Sequence, residues 1–326
     1  MTEELERAAT VLREAREVAI ACHVNPDADA LGSSLGLAHH LVAAGAKVVV
    51  GFPNEPLELP GWAAELPVDG LVVPVEAFPP SPALMVTCDC AAFDRLGTLG
   101  ASADAATELI WIDHHRSNDG RGTIRLVDPD ASSTCEIVAR LLDVIGGELN
   151  DASAICLYAG LVTDTGRFQY EAATPETLRL AAKLREHPFD HARLSQVLYE
   201  DNRAGYLSLL GVAMARAELD SAADLVWTYV LRSDFESAGA SPSDADDVMD
   251  VLRATRDADT AALVKQQADG RFKVSVRSRG RRDLSAVAAA FGGGGHRLAA
   301  GYTSEAGPAE TIRRLREAVT AGAAAP

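Results

Sequence analysis

Short, nearly continuous apolar runs recur through the first half of the chain; two of them end on an aspartate and a third carries a histidine next to its end. The runs cover residues 18–24, 47–51, 71–74, 84–89 and 109–113, with a weaker one at 124–127. Helical periodicity fills the spaces between and after them, at 3–17, 30–44, 133–145, 151–164 and 175–186. In the first of these helices Leu5, Ala8, Ala9 and Leu12 share a face; in the second Leu31, Leu35, Ala38 and Leu41 do so, and Gly45 ends the pattern. Buried strands separated by helices predict an α/β fold, a mostly parallel sheet flanked by helices on both faces.

The groups at the ends of those runs are hard to bury. They form four islands: His23-Val24-Asn25-Pro26-Asp27-Ala28-Asp29, Asp89, Asp113-His114-His115 and Asp164. Acids and histidines in apolar sequence are rarely buried unless paired or metal-bound. The carboxyl edge of an open α/β sheet is also where such folds place ligands. Asn25-Pro26 forces a turn that can fold Asp27 and Asp29 back toward His23. An Asn-Pro-Asp tripeptide alone reads as an exposed turn, and it is the convergence of all four islands on one edge that argues otherwise. Asp164 ends a predicted helix, where an acid opposes the helix dipole unless a cation compensates it. Together the islands hold enough ligands for two metal ions and point to a binuclear hydrolase. Carboxylates with a few imidazoles suit Mn²⁺ or Mg²⁺.

A chain of 326 residues exceeds the usual single core, so two domains are expected. The boundaries read as a catalytic domain over 1–189, a helical connector over 190–216 and a smaller mixed α/β domain over 217–326. The last contains predicted strands at 225–231, 261–265 and 272–276 and predicted helices at 243–255, 283–291 and 310–319. With 47 acids against 30 bases the net charge is −17, which argues against long DNA or RNA as a partner. One stretch reverses that sign: Lys265, Arg271, Lys273, Arg277, Arg279, Arg281 and Arg282 face a single acid, Asp269. Arg279, Arg281 and Arg282 read as solvated charge on a turn, and Arg167-Phe168 as a candidate lining of a substrate cleft. Gly292, Gly293, Gly294 and Gly295 then allow backbone N–H groups to close on an anion. The five cysteines, an odd number lying mostly in apolar stretches, read as reduced buried thiols. With no apolar run of about 18 residues and no leader-like start, a cytoplasmic protein without a membrane span is expected.

Asp113-His114-His115, with the later Gly-Gly-Gly-Gly-His ending at His296, resembles the DHH phosphoesterase superfamily and its DHHA1 branch. Within it the chain is similar to the bacterial nano-RNase (oligoribonuclease) and pAp-phosphatase group, some of whose members also act on cyclic or linear di-adenylate. The resemblance implies two Mn²⁺ per subunit, with Mg²⁺ as an alternative. It implies that His23, Asp27 and Asp89 hold one ion and Asp29, Asp89, His114 and Asp164 the other. Asp89 would then bridge ions about 3.5–4 Å apart, with a hydroxide between them as nucleophile. By the same resemblance Asp113 orients a ligand histidine, and His115 contacts phosphate or protonates the leaving group. Asn25 steadies the first loop or touches phosphate. Arg277 and Ser278, just past a strand, contact a terminal phosphate, and Gly292–Gly295 with His296 complete the clamp. The expected substrates are short RNA, cleaved 3′ to 5′, and the adenine nucleotides pApA, 3′-phosphoadenosine-5′-phosphate and cyclic di-AMP, which the sequence does not rank. A closing cleft between the domains would limit substrate length. The helices and strand edge of the first domain lead us to expect a homodimer. A manganese pyrophosphatase shares such a metal core but lacks the Gly-His clamp. A non-catalytic cyclic dinucleotide receptor would have no need of ligands at all four islands.

Overall fold

The computed structural model describes residues 2–68, 70–119 and 121–322, apart from the side chains of Ser243 and His296. The chain divides into two compact units, Met1–Glu200 and Asp201–Pro326.

The first unit runs α1 (Thr2–Glu14), β1 (Glu17–Ala21), α2 (Ala28–Ala43), β2 (Lys47–Gly51), β3 (Leu84–Cys88), α3 (Gly100–Ala105), β4 (Glu108–Asp113) and β5 (Ile124–Val127). It continues with α4 (Thr134–Ile145), α5 (Asp151–Asp164), α6 (Pro175–Leu184) and α7 (His191–Tyr199). The five strands are all parallel, in the order β2-β1-β3-β4-β5. Alternation along them decides the two faces. Val18, Ile20, Val86, Cys88, Ile110 and Ile112 enter the core formed with α1, α2, α4 and α5. Ala19, Ala21, Met85, Leu109 and Trp111 pack on the other side against Phe78, Leu96, Leu99 and Ala103. The strand order reverses at β1, so the crevice beyond the ends of β1 and β3 is the topological switch point, the favoured ligand position in such sheets.

Glycine brings α2 and α5 together. A Cβ on Gly32 would lie 2.4 Å from the Cys156 carbonyl oxygen, and one on Gly160 would lie 2.4 Å from Cys135 Sγ and 2.8 Å from Asp29 Cα. This close crossing sets the first turn of α2, with Asp29, beside the last turn of α5, with Asp164.

The second unit contains α8 (Ala204–Ala215), β6 (Glu218–Asp220), β7 (Leu225–Val230), α9 (Arg232–Ala238), α10 (Val248–Arg253), β8 (Thr260–Gln266) and β9 (Phe272–Ser278). It ends with α11 (Leu284–Ala289), β10 (Gly294–His296), β11 (Ala299–Ser304) and α12 (Pro308–Gly322). Its mixed sheet is ordered β10-β11-β9-β8-β7-β6, and only β7 and β8 are parallel. One core joins Val274, Val276 and Tyr302 to Leu284, Val287 and Leu315. The other joins Val226, Val230 and Leu263 to Leu209, Phe235 and Leu252.

Several local expectations are corrected. Residues 71–74 form an isolated bridge, Val50 with Val72, and no strand, because the chain coils into a 3₁₀ turn at Val75–Ala77 before the next ladder bond can form. The helix expected over 243–255 is a 3₁₀ turn, Pro242–Ala245, followed by α10. Aspartates break it: Asp244 Oδ2 accepts from the Ser241 amide at 2.6 Å, and Asp246 pairs with Lys265 at 2.8 Å. Within the glycine run, Gly294–His296 form the edge strand β10. Arg277 and Ser278 lie inside β9, not past it. Residues 190–216 hold two helices, α7 in the first unit and α8 in the second.

All five cysteines are free and buried, and burial pushes the Cys88 thiol up to about 12. Among the described residues no helix is long and apolar enough to cross a membrane.

Candidate metal centre

The chain leaves β1 through Cys22 and reaches His23, which is buried. His23 Nδ1 lies 2.9 Å from the Val24 carbonyl oxygen and also 2.9 Å from Arg95 Nη2. One tautomer satisfies only one of these contacts. With Nδ1–H donated to Val24, Nε2 keeps its lone pair and faces Asp27 Oδ2 at 3.8 Å and Asp89 Oδ2 at 3.6 Å. Burial alone would lower the His23 pKa, but the hydrogen bonds and charges of Asp27 and Asp89 raise it to about 10. Asn25 adopts φ +52°, a left-handed conformation that asparagine tolerates. Asn54 clasps it from both ends: the Asn25 amide donates to Asn54 Oδ1 at 2.8 Å, and Asn54 Nδ2 donates to Asn25 Oδ1 at 2.7 Å.

Asp27 is the N-cap of α2. Its Oδ1 accepts from the amides of Asp29 and Ala30, which leaves Oδ2 turned toward His23. Asp29, two residues on, is buried and receives the first amides of α4, Thr134 N at 2.7 Å and Cys135 N at 2.9 Å. A helix N-terminus is a suitable cradle for that carboxylate. Burial and then the Asp89 charge nevertheless raise the Asp29 pKa to about 7.

Asp89 follows β3 with φ +57° and is buried. Its two oxygens serve different sides. Oδ2 faces His23, while Oδ1 accepts from Thr134 Oγ1 at 2.9 Å and lies 3.7 Å from His114 Nε2. Burial would raise its pKa, but the His23 hydrogen bond and the charges of His115 and His114 hold it well below the usual carboxylate range. His114 Nε2 also lies 4.0 Å from Asp29 Oδ2 and 3.3 Å from Asp164 Oδ2. Burial and the charges of Asp29 and Asp89 raise the Asp164 pKa.

The structure thus gathers three sets of groups able to hold a cation: His23, Asp27 and Asp89; Asp29, His114 and Asp164; and Asp89, His114 and His115, each with ligand atoms within 4.8 Å of one another. Asp113 is fully buried and pairs with His115 Nδ1 at 2.7 Å.

In the second unit, register puts Arg277 opposite Ala299 and Ala299 opposite His296, so the three residues form one row across β9, β11 and β10. The side chain of His296 lies outside the described residues. Ser278 is buried and donates to Asp259 Oδ2 at 2.8 Å while accepting from the Gly280 amide at 3.0 Å, so its hydroxyl organises the following turn. The neighbouring arginines do more than solvate that turn. Arg279 donates to the Thr255 carbonyl, and Arg281 and Arg282 pair with Asp224. Within the glycine run, a Cβ on Gly293 would lie 2.1 Å from the Gly301 oxygen, and Gly292 and Gly295 take φ +75° and +138°. Packing and backbone geometry therefore require those three, whereas Gly294 faces open space.

Residues 17–161 match the DHH family N-terminal domain, and residues 225–324 match the DHHA1 domain. A Thermus thermophilus protein named bifunctional oligoribonuclease and PAP phosphatase NrnA is 33% identical over 310 residues, covering 92% of this chain and 88% of its own. The chain belongs to the DHH phosphoesterase family. A Bacillus subtilis protein of the same name is 30% identical over 285 residues, 86% of each chain. The cyclic-di-AMP phosphodiesterase GdpP of Geobacillus thermodenitrificans is 28% identical over 66% of this chain and 32% of its own. Among solved structures, an exopolyphosphatase-related protein from Bacteroides fragilis shares the fold, with TM-score 0.90 over 98% of this chain and 96% of its own at 23% identity.

Around the metal centre, sequence reading passed over Thr134, Arg95, Asn54 and Asn118. Thr134 had a signal, since Ser132-Ser133-Thr134 before an apolar helix marks a helix start whose free amides attract an anion. Asn54 and Arg95 had none, because each meets its partner only through the folding of distant loops.

Proposed function

We propose that this DHH phosphoesterase uses two Mn²⁺ ions to hydrolyse short oligoribonucleotides in the 3′ to 5′ direction, together with pApA and 3′-phosphoadenosine-5′-phosphate. The observation that carries the reading is the division of the Asp89 carboxylate, one oxygen toward His23 and the other toward His114. His23, Asp27 and Asp89 would hold one ion; Asp29, Asp89, His114 and Asp164 would hold the other. The donor set fits hard divalent cations, because it consists of carboxylates and imidazoles. The crowding of carboxylates fits them too. Asp29 and Asp164 are both pushed up in pKa by burial and by like charge, a strain that cations relieve. Bound there, two such ions supply Lewis-acid polarisation of the phosphoryl group and a lowered pKa for the attacking water.

The chain's own groups do the rest. Burial opposes charge on His115, but the Asp113 hydrogen bond and the Asp89 charge raise its pKa, which suits the ring to supply a proton to the leaving oxygen as the P–O bond breaks. Asp113 holds Nδ1, which leaves Nε2 as the donating atom. Asn25 acts through Asn54 to hold the first metal loop. Arg277, in one row with the family's glycine-histidine segment, takes a substrate phosphate. Ser278 supports the turn behind it.

A panel with Mn²⁺ tests the reading: kcat/KM on RNA dinucleotides, pApA, 3′-phosphoadenosine-5′-phosphate, cyclic di-AMP and pyrophosphate. The highest value is expected on a nucleotide ester, and a preference for pyrophosphate would overturn it.

Length is a second test. The T. thermophilus and B. subtilis relatives are named oligoribonucleases, and a net charge of −17 works against a long polyanion. Between a 5-mer and a 24-mer RNA, kcat/KM is expected to fall by about tenfold or more. Equal rates would remove the length limit.

Arg277→Ala tests the phosphate contact. A charge-assisted contact of this kind contributes about 1.5–3 kcal/mol. The expected loss in kcat/KM is about 10- to 100-fold on nucleotides with a terminal phosphate, with both metals retained. Bis-p-nitrophenyl phosphate should be hydrolysed almost as before. Equal loss on both substrates, or loss of Mn²⁺, would return Arg277 to a structural role.

A further inference from the structure

His115 has two carboxylates within reach of one nitrogen. Nδ1 lies 2.7 Å from Asp113 Oδ1 and 3.5 Å from Asp89 Oδ1. The two choices have different consequences. Paired with Asp113, the ring is held from behind and Asp89 stays available to cations. Paired with Asp89, the ring would turn and its proton would occupy an oxygen that the proposed metal centre needs.

Asn118 stands where that choice is made. Its Nδ2 donates to Asp113 Oδ2 at 2.6 Å and to the Cys90 carbonyl at 3.3 Å. Its backbone N–H donates to the His115 carbonyl at 3.2 Å and closes a tight turn. The next residue bolts this turn to the loop that carries Asp89. The Asp119 amide donates to the Ala91 carbonyl at 3.2 Å, and Asp119 Oδ2 accepts from the Phe93 amide at 2.9 Å. Asp113 is fully buried, so each hydrogen bond to its carboxylate counts heavily in fixing its orientation.

We infer that Asn118 is a positioning residue that keeps the Asp113 carboxylate aimed at His115, and so keeps the His115 ring off Asp89 and aligned to protonate the leaving group. Asn118 touches neither substrate nor metal in this role and acts through Asp113. The inference rests on the reading of His115 as the leaving-group acid.

The test compares leaving groups. A ribose oxygen departs poorly without a proton, whereas p-nitrophenolate departs well without one. Asn118→Ala should lower kcat on pApA by about 10- to 100-fold, less than the full contribution of a general acid because His115 itself remains, with KM changed by less than about threefold. On the p-nitrophenyl ester of thymidine 5′-monophosphate, kcat should fall by less than about threefold. Mn²⁺ content should match wild type. In the metal-free protein, at a pH high enough to leave the His115 ring neutral, its ¹⁵N shifts should report a mixed tautomer where the wild type shows the Nδ1–H form. Asn118→Ser keeps a turn-compatible residue and repeats every measurement should the alanine variant fold poorly. Equal losses on both substrates, a pure KM effect, loss of metal or an unchanged tautomer would each overturn the inference. His115→Ala is the reference. If it shows no leaving-group contrast, the acid assignment itself fails; if it shows the contrast and the Asn118 variants do not, only the inference about Asn118 fails.

Discussion

Asp89→Ala is expected to empty both metal sites at once and to stop turnover. The carboxylate sits beyond the end of β3 at the switch point of the sheet, one oxygen toward His23 and the other toward His114. Among the described residues, only Asp89 belongs both to the His23 set and to a set that contains His114. His23 with Asp27 offers too few ligands to retain an ion firmly, and Asp29, His114 and Asp164 lose a shared anion. Losing both ions removes several kcal/mol of transition-state stabilisation, so kcat/KM should fall by about a thousandfold or more. The variant also strips the Thr134 hydroxyl of its acceptor, an effect on stability of about 1–3 kcal/mol. Asp89→Asn separates the two effects, since its amide oxygen still accepts from Thr134 while the charge is gone. It should fold like wild type and bind no more metal than the alanine variant. Full occupancy by two ions in purified Asp89→Ala protein would sink the bridging assignment.

Gly160→Ala is expected to damage the same centre from a distance. The added Cβ would lie 2.4 Å from Cys135 Sγ, 2.8 Å from Asp29 Cα and 2.9 Å from the Ala28 carbonyl oxygen. Two of those atoms are backbone, so a side-chain rotation cannot relieve the clash and α5 must move off α2. Overpacking of this kind costs about 1–3 kcal/mol. For a unit of this size that is a fall in Tm of about 2–12 °C. Because Asp29 and Asp164 ride on the two helices being separated, Mn²⁺ titration should show one of two sites weakened by about tenfold or more. A variant that melts and binds metal like wild type would mean that the helix crossing does not set the site.

The two expectations also mark how much of the site could be read before folding. His23, Asp89 and Asp113 were legible because each lies at or next to the end of an apolar run, and a strand with both faces buried must leave its polar residue at the end. Asp164 was legible because an acid at a helix C-terminus calls for a cation. Gly160 was not, since a glycine inside a helix signals only weak propensity until the neighbouring helix is in place. The Asp113 partner was likewise hidden, because successive histidines leave the strand in different directions and geometry alone selects His115. β11 escaped because Ala-Ala-Gly-Tyr-Thr-Ser carries little strand propensity of its own, and its pairing with β9 and β10 builds it.

Composition and pattern by themselves determined the α/β class, the positions of the main strands and the kinds of ligand gathered at their ends. These follow from short-range rules, in which alternation sets burial and a polar residue ends a run. The tertiary structure alone decided which oxygen of Asp89 faces His23, which helix start cradles Asp29 and which histidine Asp113 holds. Those are relations of a few ångströms between elements far apart in sequence. They depend on how closely α2 and α5 can cross, and that distance is set by the missing side chains of Gly32 and Gly160.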